Sequence, residues 1–170
     1  KLVVLKGRQS ISFNKDLGVI SYGSIPIDLN VTATSELPVS LELVDGNSSV
    51  DLNGTILTIR SPGMVRIKAT QVGGLEWLAA EPVFLDLQIM KKELVVRVND
   101  QFRKTDQANP LFTYGFNGFA YDDNESDLIQ SVSVTTSVAD GNASNPTPEG
   151  LYSINGTGVL SDKYFVTYLD

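Results

Sequence analysis

Apolar residues in this chain recur at every second position, in short runs, and almost nowhere at helical spacing. Across residues 63–70, Val65, Ile67 and Ala69 alternate with Arg66, Lys68 and Thr70. Successive side chains of a strand point to opposite faces, so such a run has one apolar and one polar face. The same alternation sets Ile27, Leu29, Val31 and Ala33 on one face of residues 27–34, and Val39, Leu41 and Leu43 on one face of the next run. Val83, Leu85, Leu87 and Ile89 share a face in residues 82–90. Turn signals separate the runs: Asn53-Gly54 suits a tight hairpin, and Pro62-Gly63 a second turn. Short alternating strands between turns predict an all-β fold of Ig-like or related β-sandwich type.

After Met90 the pattern restarts. Leu94, Val96 and Val98 form one face, and Phe112, Tyr114 and Phe116 another; residues 131–138, 151–154 and 164–169 read as further strands. Residues 125–131 allow a single helical turn capped by Asn124. The 170 residues therefore divide into two tandem modules, residues 1–90 and 91–170. The junction at Met90-Lys91-Lys92-Glu93 holds no Gly, Ser or Pro and reads as short and stiff. Residues 1–6 read as the tail strand of an upstream module, and residues 91–170 as a module whose last strand is missing. Both readings make the chain a piece of a longer array.

Composition narrows the chemistry. Cys and His are both absent from the sequence, which removes thiol nucleophiles, imidazole bases and the common zinc and copper sites. A net charge of −7, with Lys and Arg mostly scattered singly, excludes a nucleic-acid footprint and disfavours an anionic membrane surface. No apolar run reaches the roughly 18 residues a membrane helix needs, so no insertion is expected within this segment. Asp28, Glu42, Asp51, Glu76, Glu81 and Asp86 fall at outward strand positions or in loops, and nothing marks a cleft between a carboxylate pair. The reading is non-enzymatic, with no catalytic residue, cofactor or metal assigned.

Two places remain as candidate ligand sites. In residues 121–127, Asp122, Asp123, Asn124, Glu125 and Asp127 offer oxygen ligands suited to calcium. Their spacing does not match a helix-loop-helix calcium loop, and the glycine of its sharp turn is missing; the alternative is a solvated loop with a helix cap. Trp77, Tyr121, Tyr152, Tyr164 and Tyr168 are rings available for stacking on a sugar. Trp77, in a loop beside Gly73-Gly74, is the first candidate among them for such a platform, the alternative being a cover for the core. The aromatics of residues 112–119 read as frame: Phe112, Tyr114 and Phe116 inward, with Phe119 plugging the sandwich end.

Two resemblances follow from these segments. Residues 9–90 resemble the bacterial Ig-like repeats of large secreted and surface proteins, on "QSISF", "YGSIPIDLNVTATSELPVSLEL", "LNGTILTI", "PGMVRIKATQVGG" and "AAEPVFLDLQI" in that order. Trp77 stands where such repeats usually carry a Tyr. Residues 93–170 resemble the MBG domain of the YGX type found in bacterial adhesin-like proteins, on "ELVVRVNDQFRK", "ANPLFTYGFNGF", "GLYSINGTG" and "KYFVTY". Here Lys104-Thr105 replaces the family's Tyr-Gly pair before Asp106. The resemblance implies a non-catalytic stalk or spacer module at the cell surface or outside the cell, whose partners are neighbouring modules of the same chain. The alternative is a module that binds a glycan or a host or surface protein through Trp77 or the 121–127 loop.

Overall fold

The computed structural model describes residues 1–14 and 17–169. The chain is all-β, as the alternation requires, and it divides into two compact units, Lys1–Lys91 and Lys92–Asp170.

In the first unit the strands are β1 (Ile11–Phe13), β2 (Ile20–Ser21), β3 (Ile27–Asp28), β4 (Val31–Ala33), β5 (Ser40–Asp45), β6 (Val50–Asn53), β7 (Ile56–Ile59), β8 (Gly63–Thr70) and β9 (Val83–Met90). One sheet runs in the order β2-β9-β8-β5, antiparallel except that β2 lies parallel to β9. Opposite it, β3 pairs with β7 and β7 with β6, while β4 pairs with β1. The inward faces are those the alternation marks: Val65, Ile67 and Ala69 of β8 are buried, as are Leu29, Leu57 and Ile59 from the other layer. Ile11, Ala33, Ala69 and Ala80 form one cluster of this core, with Phe13, Val39, Leu41 and Val83 packed against it.

Residues 27–34 are not the single strand their alternation suggests. Asn30 adopts φ +45° and divides them into β3 and β4, which pair with different neighbours. The Asp28 carboxylate accepts the Asn30 backbone N–H at 3.0 Å, a local bond that competes with the ladder and stabilises the break. The hairpin between β6 and β7 turns on Gly54 and Thr55, one residue later than the Asn53-Gly54 pair suggests, because Asn53 still pairs with Ile56. Residues 1–6 form no strand, and Leu2, Val3, Val4 and Leu5 are exposed.

The second unit contains β10 (Lys92–Val98), β11 (Tyr114–Asn117), a 3-10 turn (Glu125–Asp127), β12 (Ser133–Thr136), β13 (Ile154–Thr157) and β14 (Tyr164–Leu169). β10 is the central strand of its sheet, antiparallel to β11 and parallel to β14, and Leu94 and Val96 are its most buried side chains. β12 and β13 form a separate antiparallel ribbon. The ribbon packs on the sheet at Gly156, where a Cβ would lie 3.0 Å from Val98 Cγ2 and 3.1 Å from Tyr168 Cδ1. A side chain at this position would press on both neighbours, which glycine avoids. Along the sheet, Tyr114, Phe116, Phe119 and Tyr164 form a chain of ring contacts with centroids 5.2–5.8 Å apart. Phe119 bridges Phe116 and Tyr164, a packing role in keeping with its reading as frame. Residues 151–154 are not a strand: Leu151 and Tyr152 belong to a loop, and pairing begins only at Ile154.

Candidate functional site

The acidic loop is built from β11 onward and is tied to the fold by its own carboxylates. Asn124 caps the 3-10 turn: its Oδ1 accepts the Ser126 N–H at 3.0 Å, and Asp127 Oδ2 accepts the Asn124 N–H at 2.9 Å. This is the reciprocal pattern of a capping box, and it accounts for Asp127. Glu125 accepts the Tyr114 phenol at 2.7 Å. That bond, then burial, then the charge on Glu125 raise the phenol above its ordinary value of 10.0.

Asp123 is the most deeply held of the group. Its Oδ2 accepts the Tyr164 hydroxyl at 2.7 Å and its Oδ1 the Lys163 ammonium at 2.9 Å. The same Tyr164 oxygen accepts the Ala120 N–H at 2.8 Å. Asp122, next to it in sequence, is exposed. Asp123, Glu125 and Asp127 thus take different internal donors instead of converging. Among the described residues no three Asp or Glu side chains come together in a way that could hold a metal ion.

The aromatic candidates divide in the same manner. Trp77 is half-buried over Gly7, and its ring carbons lie 2.9–3.0 Å from where a Gly7 Cβ would stand. Two backbone bonds fix this contact, Gly7 N–H to Glu76 O at 2.8 Å and Leu78 N–H to Gly7 O at 2.9 Å. Tyr164 is buried, at 2% exposure, so it offers no face to a ligand. Tyr168 is half-buried and its oxygen accepts the Val159 N–H at 2.8 Å. Tyr121 and Tyr152 are exposed.

The feature that alternation and spacing do not reveal is a cleft of about 450 Å³ in the second unit. Its floor is where β10 ends at Val98, β12 ends at Thr136 and β13 begins at Ile154. One wall is the loop from Asn99 through Thr105 with Asn109, Pro110 and Phe112; the other is residues 147–153. Arg103 holds the walls in place. Its guanidinium donates to Asn109 Oδ1 at 2.8 Å, Lys104 O at 3.1 Å, Ala139 O at 3.0 Å and Thr147 Oγ1 at 2.8 Å. Backbone bonds add to this: Thr147 N–H to Thr105 O at 2.8 Å and Gly141 N–H to Gln107 O at 3.0 Å. At Gly141 any Cβ would collide with Thr105 O, so the two loops can meet only because that residue is glycine.

The signal that could have exposed the cleft is Phe102 and Leu151. Both are large apolar residues set among Asn, Asp, Gln, Lys, Pro and Gly, outside any alternating run, and both are exposed. Residues so placed have no core to enter.

The second unit is thus a small β-sheet module whose side-chain chemistry lies in the loops at its strand ends. Residues 94–170 match the family model described as MBG domain (YGX type). Comparison with curated proteins and with solved structures returned no match.

Proposed function

We propose that the chain is a non-catalytic pair of tandem modules from a large bacterial surface or secreted adhesin-like protein, serving as stalk or spacer. The observation that carries the reading is the match of residues 94–170 to a family of non-catalytic modules that typically occur in extracellular surface proteins. The chemistry of the acids agrees with it: Asp123, Glu125 and Asp127 are engaged in folding bonds. Among the described residues no helix is long and apolar enough to cross a membrane.

For residues 9–90 we propose an Ig-like repeat, and strand order supports it. Taken as one broken strand, β3 and β4 give the layer β1-β4/β3-β7-β6, facing β5-β8-β9 with β2 added at the edge. That is the four-against-three division of an immunoglobulin-type sandwich, in the same chain order. A single residue, Lys91, lies between the end of β9 and the start of β10. So short a tether gives a spacer little slack to lose under load.

Pulling the chain by its ends tests the spacer reading. Two unfolding events are expected, each releasing one unit, with length gains equal to extended lengths of about 300 Å and 260 Å, at roughly 3.3 Å per residue, less the span of each folded unit. One event spanning both units would contradict it. Protease added to intact cells that make the parent protein should cut within it; complete protection would count against a surface location.

A further inference from the structure

We propose that the cleft at the loop end of the second unit is a binding site for a neutral oligosaccharide. The proposal goes beyond a spacer role and stands whether or not the module also acts as one. At about 450 Å³ the cleft falls within the roughly 300–1,000 Å³ range of small-ligand sites, with room for a short chain of sugar rings. Its walls are fixed before any ligand arrives, because Arg103 and the Thr147 and Gly141 backbone bonds join the loops. A pre-formed site avoids much of the ordering cost that weakens binding by mobile loops.

Charge argues for a neutral ligand. Arg103 and Lys104 are balanced by Asp100 and Glu149, so the lining has no net field of either sign to attract an ion. Arg103 is also occupied by neutral acceptors on four sides, which leaves it unsuited to clamp a phosphate or carboxylate.

The remaining groups fit a sugar. Phe102 is 91% exposed, and Tyr152 lies on the other wall. The Tyr152 hydroxyl donates to Pro148 O at 2.9 Å, which fixes the ring and leaves its apolar face as the surface on offer. Flat apolar faces complement the C–H faces of a pyranose. Asn99 and Gln101 both give their amide N–H to Thr113 Oγ1, at 2.9 Å and 3.2 Å, which leaves their carbonyl oxygens to accept from sugar hydroxyls. An extended peptide is the poorer fit. It would gain most from main-chain pairing along a free strand edge, and the cleft opens instead on strand ends.

The test is nitrogen-15 amide NMR of the whole chain titrated with cellotetraose, maltotetraose and tetra-N-acetylchitotetraose, and with a proline-rich peptide. At least one saccharide should produce saturable shifts confined to residues 99–104 and 148–153, with Kd at or below about 1 mM. Phe102→Ala should weaken that binding at least about tenfold, and Tyr152→Ala likewise. Phe102 is exposed, so its truncation leaves folding intact, and the spectrum of the variant confirms this directly. Trp77→Ala should leave affinity unchanged. The proposal is overturned if no saccharide shifts these amides at about 10 mM. It is equally overturned if binding survives both cleft variants, if the shifts fall around Trp77, or if only the peptide occupies the cleft.

Discussion

Asp122 and Asp123 are neighbours of the same type with different work to do. Asp122 points to solvent, whereas Asp123 holds the Tyr164 hydroxyl and the Lys163 ammonium. Removing Asp123 takes the acceptor at 2.7 Å from a phenol that is 2% exposed and a partner from the Lys163 ammonium, at a cost of about 1–3 kcal/mol. Asp123→Ala should therefore lower the unfolding free energy of the second unit by that amount in urea titration. Asp122→Ala should stay within about 0.5 kcal/mol of wild type. Sequence exposes the cluster of oxygens but not its use, because Lys163 and Tyr164 lie some forty positions along the chain. The Tyr114–Glu125 bond has a pH signature. A phenol whose folded pKa is raised binds its proton more tightly when folded, so its contribution is complete below the ordinary value of 10.0 and is lost as pH rises through the folded value. Between about pH 9 and 11 the wild type should lose stability more steeply than Tyr114→Phe, as read from urea midpoints at each pH. Equal slopes would remove the bond from the account.

At the scale of elements, alternation located the strands well and their interruptions poorly. The inward set Leu29, Val31 and Ala33 continues in period across Asn30, so nothing in the pattern marks the point where β3 ends and pairing passes from β7 to β1. The information is in one backbone angle. A β-branched residue at φ +45° is strained, so Asn30→Val should cost about 1–2 kcal/mol in the first unit, while Asn30→Gly should be close to neutral. Matching losses for both variants in thermal melts would show that the Asn30 side chain itself, and not the angle, sets the break. The loops were less legible still. Nothing in the sequence around Arg103 marks its partners, yet it ties residues 104, 109, 139 and 147 together. Such long-range bonds leave no local period to detect. A lysine ammonium cannot reproduce the planar fork, so Arg103→Lys should speed hydrogen exchange at the Thr147 and Gly141 amides by about tenfold while leaving β10 and β14 protected. Unchanged exchange at those two amides would refute the stitching role.

At the scale of the whole molecule, the two sets of inward residues belong to two separate cores. Leu29, Leu57, Ile59, Val65 and Ile67 pack within Lys1–Lys91, and Leu94, Val96 and Tyr164 within Lys92–Asp170. This much follows from side-chain chemistry that alternation displays directly, since every second residue of β8 and β9, and of β10 from Leu94 on, is apolar. The cleft does not follow from it, because its floor is the ends of strands distant in sequence and its walls are loops with no period. Separate cores predict separate unfolding. Ile67 is fully buried in the middle of β8, so Ile67→Asp places an unpaired carboxylate where no water or donor reaches it. The cost of about 4 kcal/mol or more is a large share of the roughly 5–15 kcal/mol that holds a small domain folded. In hydrogen exchange of the intact chain, the amides of β8 and β9 should lose protection, while those of Leu94 and Val96 in β10 retain wild-type rates. Loss of protection in both sets together would mean that the units share one cooperative core, and a stalk of independent modules would no longer describe the chain.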